Sequence, residues 1–394
     1  LNHMIDQLLQ NEIQLFINQN IGKKSSVLAL QKNPFPSIDF KLIINQIEAK
    51  SKAKDKLPTW FNSQNCIYPS KISVEQTSSE TTAQYKASLV SGTSLLDATG
   101  GFGIDDYYFA KKIKSVIHCE LNSELSTIVK HNYKTLKVNN IDCIIGDSTE
   151  ILASLNRQFE YIYIDPSRRN DQKGKVFMLK DCLPNVPDLL EYYFKYTSNI
   201  LIKTAPILDI TSGLNELKNV KRIHIVAVDN EVKELLWEIE KNYSNTITIK
   251  TFNSNKQNNE LFEFQLNNNI YSNYSLPKKY LLEPNSAIMK SGGFNEISHQ
   301  FNIEKLNVNS HLYTSDGLID FPGRIFEVIQ NIPYSKNEMK KFLQGTKANV
   351  TTRNFPDTVE NIRKKWKIND GGLTYCFFTT DKNENKIVLI CNKI

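Results

Sequence analysis

Long hydrophobic runs are missing from this chain: no stretch approaches the ~18–20 apolar residues that span a bilayer. No basic-then-apolar leader opens the chain either, which gives the expectation of a cytoplasmic protein. Cysteine is sparse. The six (Cys66, Cys119, Cys143, Cys182, Cys376, Cys391) form no C-x-x-C pair and no metal-type spacing with His. A disulfide framework and a zinc site are therefore both disfavoured, and no metal is expected. Cys119 and Cys143 fall inside strand-like runs and read as small buried hydrophobes. Internal repeats and low-complexity blocks are also absent.

What is present is ordinary globular composition, 40% hydrophobic and 23% charged, over 394 residues, a length that exceeds one typical domain. The net charge of +6 is placed unevenly. Residues 321–394 carry 13 Lys/Arg against 7 Asp/Glu, an excess that accounts for the whole net charge. Such a segment suits a polyanionic partner.

Ile5 to Ile21 repeats apolar residues at three- and four-residue steps and predicts one amphipathic helix. Helical character extends to about residue 70. Ser78 or Ser79 can cap a further helix through Tyr85 to Leu89. Four strand-like runs then each close on a carboxylate: SLLD at Asp97, SVIHCE at Glu120, CIIGD at Asp147 and YIYID at Asp165. The intervals of 23, 27 and 18 residues each leave room for a helix and the next strand. Polar strand tips side by side form the ligand crevice of an open parallel sheet. Beyond them, NILIKTAP reads as a strand and RIHIVAVDNEVKELLWEIEK as a further α/β stretch. TFNSNKQNNE reads as a hairpin tip. From Arg324 the pattern is strand, helix, strand, helix and a closing hairpin.

The glycines of DATGGFG let the chain turn tightly and approach a ligand before a helix N-terminus. Glu120 can accept hydrogen bonds from both hydroxyls of a ribose. That placement also fits a dinucleotide fold, so by itself it leaves the cofactor open. Asp147 can accept from an adenine amine, and Asp165 ends the strand where a transferring group would sit.

DATGGFGID, the acid of HCELN, GDSTEIL and IDPSRR together resemble motifs I to IV of class I S-adenosylmethionine-dependent methyltransferases, over about residues 72–205. EQTSSETTAQYKA is similar to the pre-core motif of trimethylguanosine-synthase-like RNA methyltransferases. YLLEPNSAIMKSGGF, NSHLYTSD and KANVTTRNFPDTVENIRKKWKINDGG resemble a bacterial methyltransferase group with a THUMP-like C-terminal domain. The resemblance implies an α/β fold with a Rossmann-like core, a mostly parallel seven-stranded sheet. After the helical region read over 1–70, it implies the core over 71–275, a small ferredoxin-like unit over 276–322 and a THUMP-like domain over 323–394.

Carried onto matching positions, it implies that Asp97, Thr99, Gly101, Gly103, Glu120, Asp147 and Asp165 hold S-adenosylmethionine. Motif IV reads Asp165-Pro166-Ser167-Arg168-Arg169, without the second proline and the stacking aromatic usual in amino-directed base methyltransferases. Asp165 and Arg168 are then the catalytic candidates. Arg168 and Arg169 offer planar forks for phosphate or base, or a strand-end salt bridge. Carbon-5 chemistry needs a cysteine nucleophile, and Cys182 has no base beside it in sequence. Lys203 to Pro206, after a strand, is a weak candidate for the substrate mouth. In the C-terminal module Arg353, Arg363, Lys364, Lys365 and Lys367 are candidate RNA contacts, with Trp366 as base platform or as core anchor. The expected activity is methylation of a base in tRNA or rRNA. An inactive, cofactor-binding RNA-binding protein and a small-molecule methyltransferase are the alternatives.

Overall fold

The computed structural model describes residues 2–168 and 178–394. It divides into two compact units. The first comprises residues 1–221 and 235–245, and the second 222–234 and 246–394.

The first unit opens with short helices. The periodicity from Ile5 to Ile21 is carried by two, Asn2–Leu8 and Asn11–Gln19, because the backbone is extended at Gln10. Their apolar faces and that of helix Phe40–Lys56 are buried. Ser79 caps helix Glu80–Ser88 by accepting a hydrogen bond from Thr82 N. Ser78 is committed elsewhere. Strands β1 (Gly92–Asp97), β2 (Ile113–Glu120), β3 (Ile141–Ile145) and β4 (Tyr161–Ile164) follow, with helices Ile104–Phe109, Ser123–Thr135 and Ser148–Leu155 between them. A two-residue ladder pairs β5 (Ser167–Arg168) with β6 (Cys182–Leu183). Next come helix Val186–Tyr193 and strand β7 (Asn199–Thr204).

The stretch expected to be α/β from Arg222 to Lys241 is instead two strands, β8 (Val220–Val228) and β9 (Glu231–Glu240). Asp229 and Asn230, both at positive φ, turn the chain between them. Alternation of apolar residues in KELLWEIE fits an extended chain as well as a helix, and here the sheet decides. Within the first unit the order is β9–β7–β4–β1–β2–β3. All pairs are parallel except β9 with β7. Leu95, Leu96, Val116, Ile162, Ile164, Ile200 and Ile202 are buried in this sheet. Such continuous apolar runs are what a strand covered on both faces requires.

In the second unit, β10 (Thr248–Ser254) pairs parallel with β8 and antiparallel with β11 (Asn259–Gln265). These two strands lie beyond the seven expected. The remaining chain builds a sheet in the order β13–β14–β12–β15–β18–β17–β16. Its strands are β12 (Tyr280–Pro284), β13 (Glu304–Lys305), β14 (Tyr313–Ser315), β15 (Gly323–Pro333), β16 (Asn349–Thr352), β17 (Thr374–Thr380) and β18 (Lys386–Lys393). Helices Lys336–Phe342 and Val359–Trp366 bury Met339, Ile362 and Trp366 in one apolar cluster with Cys376, Phe378 and Val388. Trp366 is therefore a core anchor.

Candidate active site

Four carboxylates stand at or just past the carboxyl ends of four neighbouring strands, and backbone and hydroxyl groups tie them together. Asp97 Oδ1 accepts from Thr99 N at 2.7 Å and from Thr99 Oγ1 at 3.2 Å. The same hydroxyl accepts from Asp165 N at 2.7 Å, which joins the ends of β1 and β4. Glu120 Oε2 accepts from Gly101 N at 2.9 Å and Oε1 from Asn122 N at 2.7 Å, joining the glycine turn to β2. Gly146 N donates to Glu120 O at 3.1 Å, which brings the Gly146–Asp147 turn alongside. Asp147 caps helix Ser148–Leu155 through Thr149, whose hydroxyl and N–H hold this exposed carboxyl below the usual carboxylate range.

The turn itself is set from beneath. A Cβ on Gly100 would lie 2.2 Å from the His118 ring, and one on Gly103 2.1 Å from Tyr133 Oη. Gly101, at φ +55°, has no such neighbour closer than 3.7 Å, so its outer side is open to a ligand. His118 Nδ1 is 2.7 Å from Asp106 Oδ2, both fully buried. Tyr133 Oη donates to Gly103 O at 2.8 Å.

Burial first, and the neighbouring Asp106 second, push the Asp97 carboxyl well above the usual range. Burial and then Asp105 do the same to Asp106. Burial pushes the His118 imidazole down. Asp105 goes the other way. Burial opposes its ionisation, but Lys86, Lys203, Tyr163 and Ser78 together hold it below the usual range. Lys86, fully buried, sits 3.2 Å from Asp105 Oδ1 and donates to Ser78 Oγ at 2.9 Å. Ser78 and Tyr163 donate to Asp105 Oδ2 at 2.9 and 2.8 Å.

Past the end of β4, Lys203 Nζ of β7 lies 2.5 Å from Asp165 Oδ2. Arg169 lies outside the described residues, as does the side chain of Arg168. Of Cys182, the structure adds that it is buried. Two residues the sequence reading passed over are Leu121 and Ile145, 72% and 54% exposed at the ends of β2 and β3. Large apolar side chains exposed beside strand-end carboxylates suit the faces of a flat heterocycle. Their signal in the sequence is only position, one residue after Glu120 and two before Asp147.

The C-terminal basic candidates separate into two kinds. Arg353 Nη2 donates to Glu283 Oε1 at 2.8 Å, and Arg324 Nε donates to Glu283 Oε2 at 2.7 Å. Glu283 is buried, so Arg353 is first a counter-ion. Arg363 is held by Asp370 at 2.5 Å. Lys364, Lys365 and Lys367 are exposed on or just after helix Val359–Trp366. Among the described residues no three His, Cys, Asp or Glu side chains are grouped as a metal would need. No described helix is long and apolar enough to cross a membrane.

Comparison with known proteins finds two family models, both within the second unit. Residues 280–322 match a ferredoxin-like domain model and residues 323–393 a THUMP-domain-like model. No curated protein matches the chain. Among solved structures, a candidate methyltransferase from Porphyromonas gingivalis W83 is 30% identical over 97% of both chains, with a TM-score of 0.86. Two others share 13% and 16% identity over 41% of this chain. They are an rRNA methylase from Streptococcus thermophilus (94% of its chain, TM-score 0.30) and TrmK from M. capricolum with S-adenosyl-homocysteine (68%, 0.33). Matching the Porphyromonas protein in fold over 97% of both chains, this chain belongs to the methyltransferase family that joins a class I, Rossmann-like core to a THUMP-like C-terminal domain.

Proposed function

We propose that the protein is an S-adenosylmethionine-dependent methyltransferase acting on a base in structured RNA, tRNA or rRNA. The observation that carries this reading is the linked set of strand-end acids around an open glycine turn, Asp97–Thr99–Asp165 on one side and Gly101–Glu120–Gly146–Asp147 on the other. The residues fit the cofactor. Glu120 is oriented by two backbone N–H groups and retains lone pairs for ribose hydroxyls. Asp147 is suited to accept from the adenine amine, and Leu121 and Ile145 to cover its ring. Asp97, Thr99, Gly101 and Gly103 would take the methionine end. When bound, the cofactor supplies an electrophilic methyl group on a sulfonium.

The chain's own part is alignment and exclusion of water. Asp165, an acceptor, is suited to orient an N–H-bearing nucleophile, and the exposed lysines after Arg363 to hold the RNA backbone. Calorimetry with S-adenosylmethionine tests the cofactor assignment. Binding is expected for the wild type and at least tenfold weaker binding for Asp97→Ala and Glu120→Ala; no wild-type binding defeats the reading. The departure of Asp165-Pro166-Ser167-Arg168 from the usual motif IV favours one rival, a core that binds cofactor without turnover. Tritiated methyl transfer to total RNA from a strain lacking the gene separates the two. Nucleoside mass spectrometry then identifies the product.

A further inference from the structure

Charges alternate through the core toward the reaction end. Lys86 on helix Glu80–Ser88 pairs with Asp105 on helix Ile104–Phe109, Lys203 on β7 acts on Asp105, and Lys203 pairs with Asp165. Register explains the last contact. Ile164 pairs with Ile202 in the parallel ladder, so Asp165 and Lys203 are the next residues of their strands and stand side by side. The Lys203 side chain is only 13% exposed, whereas that of Asp165 is 37% exposed. The pair is thus anchored from the protein side and open on the carboxylate side. Two acids and two lysines give this row a formal charge of zero.

That balance matters in a crevice built for a cation. An uncompensated carboxylate at the end of β4 would attract a sulfonium in the ground state. Binding gained there, and lost as the methyl group leaves and the positive charge disappears, raises the barrier instead of lowering it. Lys203 takes up Asp165 Oδ2 and leaves Oδ1 without a partner among the described residues.

We propose that Lys203 is a positioning residue of the reaction end. It cancels the charge of Asp165 toward the sulfonium and turns the remaining carboxylate oxygen toward an N–H of the nucleophile. This deepens the function proposed above and rests on it. A base amine offers its nitrogen lone pair without prior deprotonation and sheds one proton past Asp165 to solvent once methylated. It needs orientation more than a base, so the substrate class is a base nitrogen carrying a hydrogen. A ribose hydroxyl would need a strong base, and neither described group hydrogen-bonded to Asp165, the Lys203 ammonium or the Thr99 hydroxyl, supplies one.

The test uses the full chain and two ligands, S-adenosylmethionine and its neutral thioether product, measured by calorimetry. Lys203→Met is expected to favour the sulfonium over the thioether by about tenfold more than wild type does, since one unit charge is unmasked nearby. Lys203→Arg is expected to keep the wild-type ratio, and Lys203→Met/Asp165→Asn to return to it. With RNA, Lys203→Met is expected to lower kcat about 100-fold with KM for RNA within about threefold. Adding Asp165→Asn is expected to cost nothing further, the mark of a residue acting through another. An unchanged ligand ratio in Lys203→Met, additive losses in the double variant, or a 2′-O-methylated product would each overturn the proposal. Should Lys203→Met not fold, Lys203→Gln carries the same comparison. If the wild type binds neither ligand, the cofactor assignment fails before the role of Lys203 is reached. If it binds both but methylates no RNA, the ligand ratio still judges Lys203.

Discussion

At the scale of single residues, the ends of β1 to β4 were the legible part. Asp97, Glu120 and Asp165 end or directly follow an apolar run, and Asp147 follows one after a glycine, so a one-dimensional pattern marks all four. Their supporting partners left no such mark. His118 and Asp106 are 12 residues apart, and only the packing of helix Ile104–Phe109 on β2 brings them to 2.7 Å. These buried groups set a pH dependence. The folded-state midpoints of Asp97 and Asp106 lie above those of the unfolded chain. Their contribution to stability is therefore full below the ordinary carboxylate range and is lost as pH rises through the folded midpoints. Asp105 and His118, both pushed down, contribute with the opposite slope. Asp106→Asn, which keeps an acceptor for His118, is expected to flatten the loss on the alkaline side. Thermal unfolding across pH 5 to 9 measures it, and a variant curve parallel to wild type would refute the assignment.

At the scale of elements, helix Glu80–Ser88 shows what pattern reading can and cannot reach. Its cap was legible as one of two serines. The structure chose Ser79 because Ser78 is drawn into the Lys86–Asp105 pair. The helix is joined to helix Ile104–Phe109 by that pair and by Tyr108 Oη donating to Glu80 at 2.6 Å. Glu80 also accepts from Thr59 N at 2.6 Å, which ties in the helices before the sheet. Lys86→Met keeps the apolar stem but removes the salt-bridge partner of buried Asp105, leaving it Lys203, Ser78 and Tyr163, and is expected to cost about 1–3 kcal/mol, read from urea unfolding. The stretch from Arg222 to Lys241 was the opposite case, an ambiguous apolar pattern that hydrogen-bonded neighbours resolved as strands.

At the scale of the whole molecule, the sequence's charge asymmetry becomes a division of labour within the second unit. Arg353 is expected to matter for stability. Arg353→Ala leaves buried Glu283 with Arg324 as its only charged partner among the described residues and should cost about 1–3 kcal/mol. Lys364, Lys365 and Lys367 are exposed and should act on RNA. Their combined change to Gln is expected to reduce the slope of log affinity for tRNA against log salt by about 2–3. Unfolding and salt-titrated binding on the same two variants separate the roles. A reduced slope in Arg353→Ala with unchanged stability would reverse the assignment.

By itself the sequence determined the run of β-strands and helices from β1 to β4, the acids at the strand ends, the glycine turn, the C-terminal α/β module and its basic excess. These are properties of local periodicity and composition, which need no distant partner. Tertiary structure alone decided which ionisable groups neutralise each other: Lys86 with Asp105, Lys203 with Asp165, Arg324 and Arg353 with Glu283. Desolvation makes an isolated charge costly wherever the fold buries it, so the identity of its partner is fixed by packing in three dimensions and by nothing written along the chain.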